Sequence, residues 1–294
     1  MKTALHSVSY AGVWPGQARL SLEDFLGRAK HLGFEAVMLV AKRPHLSVLD
    51  YDSEARRQLR DTLERLGLKV ACLAGYTDFC MGSDRLDIPA REMQILYVHE
   101  LCRMARDLNC RLIRVFTGFE SVGSSFDQQW NGCVSALREC CRRAAEQGVI
   151  IGIQNHHDLA AHYESLFDLL QEIDEPNCKA MFDAWAPALH GTDLAAAVKK
   201  MAPYLVHTTV ADYVRRPRFR YQPNLVNYVR EADVVRAVPL GEGFIDYRVF
   251  FTALKEIGFD GYVAYEMCSS LRGGGSGENL DRCARKFLDY MARF

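Results

Sequence analysis

The chain has 294 residues, 49% of them hydrophobic, and a formal net charge of -1 at pH 7. This length suits one large α/β domain or two small ones, and no Pro-, Ser- or charge-rich linker divides it, so we predict a single domain over residues 1–294. A chain with a net charge near zero is not expected to be a general binder of polyanions such as nucleic acid. No apolar run reaches the roughly 20 residues of a membrane-spanning helix, and the N-terminus lacks a secretory leader pattern, so we predict a cytoplasmic protein with no membrane contact.

The ten cysteines form no Cys-x-x-Cys pair, and most lie within apolar helix or strand patterns. This distribution is typical of reduced, buried side chains in a cytosolic protein. Cys268, two residues after Glu266, is the cysteine that we expect to line a pocket.

At five places in the chain, a charged helical pattern ends in Gly or Asn and is followed directly by an apolar run. The closing residues are Gly33, Gly67, Asn109, Gly148 and Gly258. A residue of this kind closes a helix in the left-handed conformation. Ser21, Asp52 and Asp246 stand where helix N-caps are expected.

In chain order, the pattern predicts eight strands, at about residues 3–9, 35–41, 68–74, 110–116, 149–155, 179–184, 205–211 and 261–266. It predicts helices between them, at about residues 21–32, 52–66, 91–108, 125–147, 162–173, 192–202, 246–257 and 277–292. Near-continuous apolar strands are typical of a buried parallel sheet. Eight βα units in this length predict a (β/α)8 TIM barrel. A doubly wound open sheet is the competing fold, but the first βα turn lacks its G-x-G-x-x-G motif.

Four of the predicted strands end in residues that bind metals or move protons. Asp183 ends the sixth strand and Glu266 ends the eighth. A carboxylate in either place could hold Mg²⁺ or Mn²⁺ or act as a base, and Asp183 could instead cap a helix or form a salt bridge at the barrel rim. Since active sites of TIM barrels lie at the C-terminal strand ends, we expect these residues to share one pocket.

The fifth and seventh strands end in mixed polar clusters. Gln154 and His156 share one face of their strand, and His207 and Thr209 share one face of theirs. Gln154 is a neutral oxygen ligand or hydrogen-bond donor, whereas His156 could bind a metal or transfer protons. His207 is either a ligand or a satisfied core histidine, and the polar residues after the fifth strand could simply cap the next helix.

Three further residues are candidate substrate contacts. Arg215 belongs to an arginine-rich loop that follows Asp212 and could bind an anionic substrate, with a solvated loop or subunit contact as the alternative. Glu242, between two glycines, could reach the pocket from a flexible turn, and Arg114 lies at the end of the fourth strand. The exposed aromatics of the 213–228 loop could pack against a second copy, which would make a homo-oligomer.

These motifs resemble the sugar phosphate isomerase/epimerase family, the xylose isomerase-like TIM barrels. The resemblance spans the whole chain, and its most specific parts are residues 239–246 and 261–266. It implies that strands five to eight supply Glu, Asp, His and Glu to one divalent metal ion. That metal would be Mn²⁺, Mg²⁺ or Zn²⁺, polarising a carbonyl or hydroxyl of a sugar.

The chain departs from the family pattern at two ligand positions. Gln154 stands where the first Glu is expected, and Thr209 stands where the His is expected. The metal is therefore either held by a rebuilt set, which would be Gln154, Asp183, His207 and Glu266 with His156 nearby, or it is lost. Arg215 matches a basic residue of the epimerases, whereas Ala186 replaces a histidine.

A neutral Gln154 leaves no second carboxylate for a symmetric two-base epimerisation. We therefore predict metal-assisted proton abstraction next to a carbonyl of a sugar or related polyol, with Glu266 or His156 as base and Asp183 beside it. The metal or Arg215 would stabilise the enolate, and Arg114, His207, Thr209 and Glu242 would help to bind substrate. A keto-sugar lyase or dehydratase, a non-catalytic sugar-binding barrel and an endonuclease IV-type nuclease are the alternatives.

Overall fold

The computed structural model of the protein describes residues 1–82 and 87–294. Its strands are β1 Lys2–His6, β2 Ala36–Val40, β3 Lys69–Ala74, β4 Leu112–Val115, β5 Ile150–Gln154, β6 Cys178–Met181, β7 Leu205–Val210, β8 Asp212–Gln222, β9 Asn227–Val238 and β10 Tyr262–Tyr265. Its α-helices are α1 Leu22–Leu32, α2 Ser53–Leu66, α3 Ala90–Asp107, α4 Phe126–Ala145, α5 Tyr163–Ile173, α6 Trp185–Leu189, α7 Leu194–Met201, α8 Tyr247–Glu256 and α9 Gly277–Met291.

Eight of these strands close into a parallel barrel in the order β1, β10, β7, β6, β5, β4, β3, β2. The predicted (β/α)8 fold is therefore confirmed, and each predicted strand and helix has its counterpart. The helix ends also agree with the prediction. The side chains of Ser21, Asp52 and Asp246 accept backbone N–H groups of α1, α2 and α8. All five predicted closing residues have positive φ.

Side chains pack against the strands in two layers, one outside the barrel and one inside it. Between the strands and the outer helices lies the main core, rich in Leu, Phe and Ile. The inside of the barrel is filled by small side chains such as Ala4, Ala36 and Ala264, together with Met38 and Met181. This packing seals the lower barrel, so the open end is left for the polar residues at the strand termini.

Residues 212–238 differ from the prediction, because the arginine-rich segment is a long β-hairpin and not a loop. β8 and β9 pair antiparallel from Asp212–Val238 at the barrel to Gln222–Asn227 at the tip. Most of its side chains are exposed on both faces. The apolar/polar alternation that normally reveals a strand is therefore absent. A short helix, α6, also follows β6 and was not predicted.

The ten cysteines are free thiols, and all except the partly exposed Cys268 are buried. In the described part of the chain, no helix is both long enough and apolar enough to cross a bilayer.

Candidate active site

The ends of β5, β6 and β7 form one hydrogen-bonded cluster. The Gln154 side-chain amide donates to Asp183 Oδ2 at 2.7 Å and to Thr209 Oγ1 at 2.8 Å. The Thr209 hydroxyl lies 3.4 Å from the same Asp183 oxygen. Burial raises the pKa of Asp183 to about 6, although these hydrogen bonds, the Trp185 N–H and the charge of Arg114 oppose the increase. The expected convergence of strand ends is thus present for these three residues.

Arg114 lies in the same cluster, on the neighbouring strand β4. Its side chain is 3% exposed and donates to Gln154 Oε1 at 3.0 Å and to the Gly75 carbonyl at 3.0 Å. The guanidinium carbon lies over the rings of Tyr76 and Phe116, 4.7 and 3.9 Å from their centres. The side-chain amide of Gln154 therefore bridges the two charged groups, because it accepts from the Arg114 guanidinium and donates to the Asp183 carboxylate.

Glu266 follows β10 and has weaker partners than Asp183. The Cys268 thiol lies 3.7 Å from one carboxylate oxygen, and His6 Nε2 lies 3.9 Å from the other. Burial raises the pKa of Glu266 to about 7, while Arg114 lowers it and Asp183 raises it further. Its side chain remains 15% exposed, so the carboxylate is accessible from the open end of the barrel.

His156 extends the polar surface beyond Gln154. Its Nδ1 lies 2.7 Å from Nδ1 of His157, and both rings contact Phe116. Burial and the charge of Arg114 lower the pKa of His156 to about 4. At neutral pH the ring is therefore uncharged and a weak base.

His207 does not reach the cluster formed by Asp183. It pairs in register with Met181 and Tyr262, two residues below Thr209 and therefore about 7 Å deeper in the barrel. Both of its ring nitrogens are buried without a hydrogen-bond partner in the described structure, and burial followed by the charge of Arg114 lowers its pKa to about 3. The ring is therefore buried and uncharged, but it is not the satisfied core histidine that was the alternative to a ligand, because neither nitrogen has a partner in the described structure.

Two other predicted substrate contacts point elsewhere. Glu242 is exposed and forms ion pairs with Arg272 and with Lys286 of α9. The flanking glycines instead enclose Asp212, whose Oδ2 accepts the N–H groups of Gly241 and Gly243. Arg215 is exposed near the base of the hairpin, where it donates to the Leu189 carbonyl and lies over the Phe244 ring.

Three neighbours of this site were not among the predicted site residues. His6 approaches Glu266 from β1, and Tyr76 stacks on Arg114 from the end of β3. Asn155 holds the backbone of Asp183 with two hydrogen bonds, at 2.8 and 3.0 Å. The rule that barrel strands end at the active site could have found His6 and Tyr76, since His6 is the last residue of β1 and Tyr76 lies two residues after β3.

The predicted metal set is not assembled in this structure. Within residues 1–82 and 87–294, no three or more His, Cys, Asp or Glu side chains are grouped closely enough to hold a metal ion. The side-chain oxygen of Gln154 accepts from Arg114, so Gln154 directs its N–H group, and not an oxygen ligand, toward Asp183. Since Mn²⁺ and Mg²⁺ require several oxygen donors, these residues do not fit such an ion.

A family model described as the xylose isomerase-like TIM barrel matches residues 26–289. The chain belongs to this family. Its predicted family resemblance is therefore confirmed, and the match covers every strand that contributes to the Asp183 cluster.

Two curated relatives are enzymes with different names. The chain is 24% identical over 254 residues to 3-dehydroshikimate dehydratase of Bacillus anthracis, covering 84% of each chain. It is 22% identical over 283 residues to L-ribulose-5-phosphate 3-epimerase UlaE of Shigella flexneri, covering 87% of this chain and 85% of the relative. These relatives support an enzyme of the isomerase, epimerase or lyase kind.

Solved structures agree on the fold. The probable 3-DHS dehydratase AsbF of Bacillus anthracis superposes with a TM-score of 0.75 at 20% identity, over 98% of this chain and 99% of that one. D-psicose 3-epimerase of Clostridium cellulolyticum H10 gives 0.76 at 18% identity, over 99% and 98%. At such identities the likeness concerns the barrel alone.

Proposed function

We propose that this protein abstracts a proton from carbon next to a carbonyl of a small hydroxylated substrate, with Glu266 as the base. The carboxylate of Glu266 supports the proposal because it is buried, open toward the barrel mouth and not committed to a strong hydrogen bond. Its pKa of about 7 also matches the working pH of a general base. The other predicted base, His156, has a pKa of about 4 and is less suited.

Among the described residues, the site offers one free base, Glu266, so the reaction that we propose uses one base rather than two. Asp183 Oδ2 accepts from Gln154, Oδ1 accepts the Trp185 N–H, and Gln154 itself cannot take a proton. A single base fits isomerisation, in which the proton taken by Glu266 returns to the neighbouring carbon. It also fits β-elimination, in which the electron pair left on carbon expels a β-hydroxyl, which takes the proton back from Glu266 and departs as water.

Elimination of water is the second candidate, and one observation favours it. Of the two curated relatives, the dehydratase has the greater identity to this chain. Both candidates leave an enolate that a positive charge would stabilise. Arg114 and the exposed Lys42, whose ammonium lies 3.7 Å from the centre of the Tyr76 ring, are two cations at this end of the barrel.

The test incubates the protein in D₂O with 3-dehydroshikimate, L-ribulose 5-phosphate and D-psicose, followed by NMR and mass spectrometry. Isomerisation or epimerisation would incorporate deuterium at carbon, because the acid proton on Glu266 exchanges with D₂O before it is returned, and no water would be lost, whereas elimination would give a product lighter by one water. Glu266→Gln should abolish both signals while substrate still binds. If all three substrates remained unchanged and bound equally well to wild type and Glu266→Gln, the sugar-binding alternative would replace this proposal.

A further inference from the structure

The orientation of Gln154 is fixed from both sides. Its Oε1 accepts from the Arg114 guanidinium, and its Nε2 donates to Asp183 and Thr209. A flipped amide would place N–H groups against the guanidinium and an oxygen against the Asp183 carboxylate. Both contacts would be repulsive, so the chemistry of the partners determines which end faces the pocket.

The pocket offers few free oxygen donors to a divalent cation. Of the four strand ends that the family uses, Gln154 presents N–H groups and Thr209 presents a neutral hydroxyl. Asp183 and Glu266 remain, and Oδ2 of Asp183 is occupied by the Gln154 amide. A divalent ion bound to Asp183 would also be repelled by the buried guanidinium of Arg114, which is separated from Asp183 only by the Gln154 side-chain amide.

Arg114 is built into the barrel as a fixed charge. It is almost fully buried, held by the Gly75 carbonyl and by Gln154, and enclosed by the rings of Tyr76 and Phe116. Two hydrogen bonds through the Gln154 side-chain amide connect its guanidinium to the Asp183 carboxylate. A buried cation is costly unless such partners compensate it.

We propose that the pocket works without a resident divalent metal and that Arg114, positioned through Gln154, supplies the positive charge that a metal would otherwise provide. Arg114 thus compensates the Asp183 carboxylate in the resting enzyme and provides positive potential for the developing enolate. This proposal has two halves. The metal half, that the pocket holds no divalent metal, does not depend on the proposed function. The electrostatic half, that Arg114 stabilises the enolate, rests on the proposed function.

The first test measures metal. Protein purified without chelator or affinity tag is assayed for Mn, Co, Zn, Ni and Mg by elemental analysis, and its melting temperature is followed as Mn²⁺ is added. We expect far less than one equivalent of any metal and no thermal shift. Near-stoichiometric metal, or stabilisation by Mn²⁺, would overturn the metal half whether or not any substrate is turned over.

The second test uses Gln154→Glu, for which the two models predict opposite results. In a metal site the added carboxylate should increase Mn²⁺ binding and activity. In an arginine site the carboxylate pairs with Arg114, neutralises it and lowers activity at every Mn²⁺ concentration. A rise in both Mn²⁺ binding and activity would contradict the proposal.

The third test removes the cation itself. Arg114→Ala should lower kcat/KM by roughly 100-fold, the usual effect of losing one electrostatic stabiliser, and added guanidinium should restore part of the loss. Arg111→Ala, at the exposed residue just before the opposite end of β4, is the control that should neither lose activity nor respond to guanidinium. Full activity in Arg114→Ala, or a loss that guanidinium does not restore in a variant that folds, would overturn the electrostatic half. If wild type turns over no substrate, the proposed function fails, and the metal measurements still decide the metal half.

Discussion

Glu266→Gln should stabilise the folded protein at neutral and alkaline pH while it removes the base. The folded-state pKa of Glu266 is raised by burial from 4.5 to about 7. Between these values the unfolded chain has lost the proton that the folded chain still holds, so stability falls as pH rises from about 4.5 through about 7. Glutamine has no charge to bury, and this loss disappears in the variant.

The size of the effect follows from the shift. Each pKa unit corresponds to about 1.4 kcal/mol, so the shift gives an upper limit of roughly 3 kcal/mol above pH 7. The side chain is 15% exposed, and water at the barrel mouth reduces the cost of its charge. We therefore expect Glu266→Gln to raise the free energy of unfolding by roughly 1–3 kcal/mol at pH 8 and by much less at pH 5.

Urea unfolding at pH 5 and pH 8 measures this difference directly. Glu242→Gln is the matched control, since the exposed carboxylate of Glu242 forms surface ion pairs with Arg272 and Lys286. Its loss should cost less than about 1 kcal/mol and gain nothing at high pH. A Glu266→Gln protein that is less stable than wild type at pH 8, or whose gain is the same at both pH values, would refute this reasoning.

Three further predictions concern the base, the glycine turn and the hairpin. The value of kcat/KM should rise as pH increases through about 7, where Glu266 loses its proton, and a profile that is flat from pH 5 to 8 would exclude this base. Gly243→Ala should destabilise the fold by about 1–3 kcal/mol in urea unfolding, because the added Cβ would overlap the Asp212 carboxylate. Gly27→Ala, where a Cβ meets no atom within 4 Å, is the neutral or stabilising control. Replacing residues 214–236 by a short Gly/Asn turn should leave a cooperatively melting barrel, and loss of the cooperative transition would show that the hairpin is part of the barrel's stability.

The barrel was predictable because its signals are local and repeated. Helix caps such as Ser21 and closing residues such as Gly33 mark many helix boundaries within a few residues, and strands such as β2 are continuous apolar runs. The hairpin was missed because exposure on both faces removes the periodicity of two that reveals a strand. α6 was missed because a five-residue helix gives too short a periodic signal and contains Pro187.

The site was predictable only in part, because strand ends are easier to identify than the directions of side chains. Asp183, Gln154 and Thr209 were expected to meet, and they do. The role of Arg114 as a hydrogen-bond partner of Gln154 depends on the register between β4 and β5, which sequence alone does not specify. The depth of His207 likewise follows from its pairing with Met181.

The β8–β9 hairpin also affects the charge distribution of the whole molecule. Residues 212–238 contain six arginines against three acidic residues, although the net charge of the chain is only -1. The remainder of the molecule therefore carries a net charge of -4, so positive charge is concentrated in the hairpin. Clustered positive charge attracts anions through the solvent, so we expect anions to associate preferentially with the hairpin, at rates that fall as salt is added.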